Sequence, residues 1–202
     1  MQGKLVPLSA GVWACALAYW AYAVLAVALV VAAWTDVRRG KIPNGVTYPA
    51  VAAGLIGHTL VGGLTGDDVA LGLAGALGGL AVGFLPLLLV WRAGGIGGGD
   101  AKLMGAVGAL TGWSFTLAAM FYGFLVAAIM AVFVMLKLGI TRRTLGRVWR
   151  FLYLAFTPGK PADPAAADSP KIPFGLALCI GSAAQLVDVL LGGPVSSRVF
   201  GS

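Results

Sequence analysis

Glutamate is absent from this 202-residue chain. All seven acidic residues are aspartate, histidine occurs once, cysteine twice, and charged residues make up only 10% of the sequence. Soluble domains carry roughly 25% charged residues, so this deficit excludes an ordinary soluble protein. Disorder is excluded too, because its signature is low hydrophobicity with high net charge, and 59% of these residues are hydrophobic. The two cysteines, Cys15 and Cys179, each sit in an apolar run. They exclude a disulfide scaffold and read most simply as small apolar fillers. What remains is an all-α, polytopic membrane protein. At about 20 residues per crossing, the length holds about six transmembrane helices in a single membrane domain, residues 1–202, with no room for a separate soluble domain.

Six apolar stretches fit that count: Gly11–Trp34, Asn44–Val61, Val69–Trp91, Ala101–Leu110, Trp113–Leu138 and Ile172–Leu190. The first is too long for the apolar region of a signal peptide and carries aromatics throughout, so it is expected to stay as a helix. The fourth is short and glycine-rich. It crosses only if the Gly97–Gly99 segment before it sits inside the protein, since unpaired backbone is not tolerated against lipid.

Charge then orients the chain. The loops at 35–43, 92–102 and 137–171 fall on one face and hold twelve of the fourteen basic residues, leaving Lys4 and Arg198 elsewhere. The positive-inside bias puts these loops in the cytoplasm and both termini outside. The net charge of +7 is therefore expected to report topology and not a nucleic-acid partner. Gly75, Gly79 and Gly83 repeat every four residues, as do Gly108 and Gly112, a spacing that lets membrane helices approach closely.

Few acids remain for chemistry. Asp67 and Asp68 belong to a short outer loop, Asp163 and Asp168 to a Pro/Ala-rich linker, and Asp188 lies near the outer end of the last span beside Gln185. Asp36 and Asp100 are different. The topology count puts both at the inner membrane edge at similar depth, where an ionisable group is costly and suggests function. Two carboxylates a few ångströms apart share one proton. One can then take a proton from water while its protonated partner polarises a carbonyl. Blander roles exist for each: Asp36 pairing with Arg38 or Arg39, and Asp100 capping a helix. The surroundings favour the pair. Gly97-Gly98-Gly99 gives backbone freedom where an extended peptide could approach, Pro43 breaks one helix, and Asn44 is a natural cap for the next.

Three segments carry a resemblance: Asp36 followed by Ile42-Pro43-Asn44, Gly97-Gly98-Gly99-Asp100-Ala101-Lys102, and Lys171-Ile172-Pro173-Phe174-Gly175 followed by Ala177-Leu178. In this order they resemble the motifs of the type IV prepilin peptidases, within the Gly-x-Gly-Asp intramembrane aspartyl proteases that include presenilin and the archaeal preflagellin peptidases. The resemblance implies an endopeptidase that removes the short basic leader of prepilin-like membrane proteins at the cytoplasmic face. It implies Asp36 and Asp100 as the catalytic pair and no metal or other cofactor. Gly97, Gly98, Gly99, Lys102, Pro43 and Asn44 are the candidate substrate-binding residues. Long bacterial members carry an added methylating region, often with a four-cysteine zinc-type cluster. This chain has no CxxC pair, so its likeness is to the short peptidases of tight-adherence (Flp) pili or to preflagellin peptidases.

Arg142, Arg143, Arg147 and Arg150, interleaved with apolar residues, read as an amphipathic helix on anionic lipid. A sharper expectation is that some of these, or Lys102, meet the acidic residue that prepilins carry just after the cut. His58, alone in the second span, is expected to be a packed or interfacial histidine. The rival reading from another class is a small proton- or ion-coupled transporter or channel using the same acids, supported by the broken start of the fourth span. Against it, the acids lie away from the midplane and no internal repeat is visible. A non-enzymatic pilus subunit is the third reading, and intact motifs argue against it.

Overall fold

The computed structural model describes residues 8–65, 72–139 and 173–191, with side chains described from residue 19 onward. These residues form five helices and no strand: α1 (Leu8–Arg39), α2 (Asn44–Gly62), α3 (Gly72–Arg92), α4 (Gly98–Lys137) and α5 (Phe174–Leu190). Three stretches are long and apolar enough to cross a membrane: Tyr19–Arg39, Gly72–Arg92 and Gly98–Lys137. The all-helical expectation holds, and its helix boundaries shift in informative ways.

The expected loop at 35–43 shrinks to four residues because α1 continues through Asp36 to Arg39. Two arginines in a last turn suit the partial negative charge of a helix C-terminus, and the Arg38 guanidinium also lies 3.9 Å from the centre of the Trp34 ring. Gly40, not Pro43, stops the helix. Its φ of 60° is the left-handed conformation of a terminating glycine, and its N–H donates to the Asp36 carbonyl at 2.8 Å. The loop at 92–102 likewise shrinks, since α4 begins at Gly98 and takes in both Asp100 and Lys102.

The fourth and fifth stretches are one helical element interrupted at Gly112, where φ is 81° and ψ 176°. That backbone region is essentially open only to glycine. The contacts along α3 show that the chain turns back here. A Cβ on Gly79 would strike Gly108 and Gly112, and one on Gly83 would strike Met104 and Thr116. Moving one turn along α3 thus moves one turn back along the first arm of α4 (98–111) and one turn forward along the second (113–137). The arms are antiparallel to each other. The second arm then runs antiparallel to α5, with Gly181 against Gly123 and Ala119, and Gly123 against Leu178.

Small residues line these contacts, so main chain meets main chain, which is how helices gain contact where lipid supplies no hydrophobic drive. Large apolar side chains point outward instead: Leu60 is 80% exposed and Leu89 69%. A surface of that kind suits hydrocarbon as solvent. The Phe124 ring lies 6.1 Å from that of Phe174, at the start of α5. From that level the second arm runs on to Lys137, about 20 Å further by helical rise.

Candidate active site

The site is assembled from three helix ends. Asp36 lies in the last turn of α1, Asp100 in the first turn of α4, and Gly175 in the first turn of α5. Both aspartates are buried, at 6% and 7% exposure. A Cβ placed on Gly175 would lie 2.8 Å from Asp100 Oδ1 and 2.8 Å from Asp36 Oδ2. The two oxygens are therefore no further apart than twice that distance, with only a glycine backbone against them. Any larger residue would displace one carboxylate or the helix.

Each carboxylate is held by an otherwise unpaired N–H of a helix N-terminus. Asp100 is the third residue of α4, and its Oδ2 accepts the Gly97 N–H at 3.1 Å. This is one half of a capping box; Gly97 has no side chain to return the other half. Asp100 is thus not the cap residue itself: Gly97, with φ −76° and ψ 144°, occupies that position. Asp36 Oδ2 accepts the Leu176 N–H at 2.8 Å, from the first turn of α5. One anchor spans three residues of chain and the other spans 140.

The remaining candidates divide. Gly97 fastens Asp100, as described. A Cβ on Gly98 would lie 3.1 Å from Trp91 Nε1, and one on Gly99 3.1 Å from Ile42 Cβ. Gly98 and Gly99 thus begin α4 and pack against Trp91 of α3 and Ile42 of the α1–α2 link. Pro43, at φ −74° and ψ 144°, occupies the cap position of α2, and its carbonyl accepts the Val46 N–H at 3.1 Å. Asn44 is not the cap that its type suggests. Its side-chain oxygen instead accepts from Lys102 Nζ at 2.9 Å, and that ammonium also lies 5.2 Å from the Tyr48 ring centre. Lys102 and Asn44 therefore form an exposed polar pair, with Lys102 two residues after Asp100 in α4.

Gly175 and Leu176 are the positions that spacing alone did not assign to the site. The Lys171–Gly175 segment signalled a helix start, but only packing brings that start against the carboxylates. Cys179, one turn beyond Gly175 on the same face of α5, is a buried free thiol. Among the described residues, no group of three or more His, Cys, Asp or Glu could hold a metal ion. His58 is a packed histidine, as expected. Its Nε2 bonds the Leu110 carbonyl at 2.8 Å and its ring lies 5.1 Å from that of Trp20, at the end of the bundle remote from the aspartates. The basic stretch Arg142–Arg150, with Asp67, Asp68, Asp163 and Asp168, lies outside the described residues.

No curated protein and no solved structure matches the chain. Residues 23–132 do match the type IV leader peptidase family, over more than half of the sequence, and that stretch contains both aspartates. With the motif order and the helical membrane architecture, this match means that the chain belongs to the type IV leader peptidase family.

Proposed function

We propose that the protein is an aspartic endopeptidase of the membrane that removes the leader of prepilin-like precursors at the cytoplasmic face, with Asp36 and Asp100 as its water-activating pair. The observation that carries this reading is the convergence of Asp36 Oδ2 and Asp100 Oδ1 on the same point, the place where a Cβ on Gly175 would stand. Carboxylates at that separation, buried together, hold one proton between them more readily than two charges. The ionised member takes a proton from a water positioned between them as its oxygen attacks the scissile carbonyl. The protonated member donates to the carbonyl oxygen, giving a tetrahedral diol, and a second transfer protonates the leaving amine as the C–N bond breaks. The Leu176 and Gly97 N–H groups fix the carboxylate rotamers, and so hold the geometry the water needs.

In this reading the two arms of α4 count as separate crossings, which makes six with both termini outside, and the basic loops face the cytoplasm. The decisive experiment is processing of a prepilin-like precursor in membranes by the wild type, Asp36→Asn and Asp100→Asn. Asn is nearly isosteric but cannot exchange the proton. Both variants should accumulate to normal levels and leave the precursor uncut. Cleavage surviving in either one overturns the mechanism.

A further inference from the structure

One side of α5 carries polar side chains in successive turns. Above Gly175 and Cys179, successive turns present Ser182, Gln185 and Asp188, and the first two are fully buried. Both polar atoms of the Gln185 amide lack a hydrogen-bond partner among the described residues, as does the buried Oδ2 of Asp188. Ser182 makes a weak contact, its hydroxyl lying 4.0 Å from Met104 Sδ. The antiparallel register of α5 with the second arm of α4 brings Thr116, also fully buried, to the level of Gln185. Its hydroxyl donates to the Gly112 carbonyl at 2.6 Å and retains a free acceptor lone pair.

An unpaired primary amide inside a membrane bundle is expensive, because no solvent on the lipid side can satisfy it. Gln185 offers two donors and an acceptor, and a buried water typically makes about three hydrogen bonds to such groups. We propose that Ser182, Gln185 and Asp188, with Thr116 opposite, form an internal hydration site, a short file of ordered water. It enters at Asp188 near the far end of α5 and ends at Ser182, one turn above Cys179 and two above the carboxylates. Residues three apart are neighbours on a helix surface, so water bonded to one of these side chains reaches the next. The site does not depend on whether Asp36 and Asp100 cleave a peptide.

Met104 makes the proposal testable. It is fully buried, and its sulfur touches Ser182. X-ray radiolytic footprinting of the protein in nanodiscs generates hydroxyl radicals from bound water and oxidises the methionines beside it. Met104 should be oxidised in the wild type despite its burial. Gln185→Leu should abolish that oxidation, while Met130, at the opposite end of α4, keeps its wild-type rate. Ser182→Ala should also reduce it, and serves if Gln185→Leu does not fold. Met104 protected in the wild type, or still oxidised at the wild-type rate in a folded variant, overturns the proposal.

Discussion

The two aspartates of the site are fastened in opposite ways. Asp100 is held by its own helical turn, through the N–H of Gly97 three residues earlier. Asp36 is held by α5, through the N–H of Leu176 from a distant part of the chain. A local anchor forms whenever its helix forms. A distant one forms only when the bundle closes, so the approach of the carboxylates reports complete packing of α5 against α1 and α4. The difference teaches that the pair depends on a third helix that contributes no acid to it.

The most severe way to break the pair is to fill the space at Gly175, on the helix that supplies the distant anchor. Gly175→Val puts atoms where both carboxylate oxygens already stand. A displacement near 1 Å at a catalytic group costs about 100-fold in rate. Precursor cleavage should fall at least that far while the protein still inserts in membranes. Unchanged cleavage would mean that the helices part freely at that point.

The backbone contact that sets the height of Asp100 should come next. Gly79→Val or Gly108→Val drives a branched side chain into the facing main chain and should cost about 3 kcal/mol. Thermal unfolding in detergent would register it, with activity lost in proportion to folded protein. The turn between the arms is a smaller lever. Gly112→Ala forces an L-residue to φ 81°, ψ 176°, at a cost of about 2 kcal/mol. Removing the Nε2 bond by His58→Phe strands the Leu110 carbonyl in the interior, for about 1–3 kcal/mol. That variant should lower stability with little effect on the rate of the folded enzyme, since His58 lies far from the carboxylates.

Lys102 sharpens the comparison from the local side. It follows Asp100 by two residues, yet its ammonium bonds Asn44 at the exposed edge. Lys102→Met should change stability by less than about 1 kcal/mol. Lys102→Glu should slow cleavage of a precursor with an acidic residue after the cut and leave a neutralised precursor unaffected. Equal rates on both precursors would remove Lys102 from substrate recognition.

Much of this was legible in advance for physical reasons. Apolar runs of sufficient length declare helices because lipid forces every backbone group to pair within its own segment. The run of glycines before Asp100 marked one carboxylate, and the Asp36–Asn44 segment the other. Helix ends were harder. Arg38 and Arg39 look like loop residues by charge, but a helix C-terminus and the Trp34 ring favour them where they are. Asn44 looks like a cap, but Lys102 offers it a partner that only the fold supplies. The reversal at Gly112 was visible as a gap between two apolar stretches, and not as the backbone conformation that keeps them in one element.

Composition and spacing by themselves determined the membrane class, the helical architecture and the two acids at one membrane edge, because each follows from local chemistry along the chain, and the three motif segments added the family resemblance. Only the tertiary structure decided that α5 closes the site, that both carboxylates meet the bare backbone of Gly175, and that Gln185 lies buried without a partner among the described residues. Those facts depend on which main-chain surfaces touch: glycine spacing marks where helices approach closely, but not which helix each glycine meets.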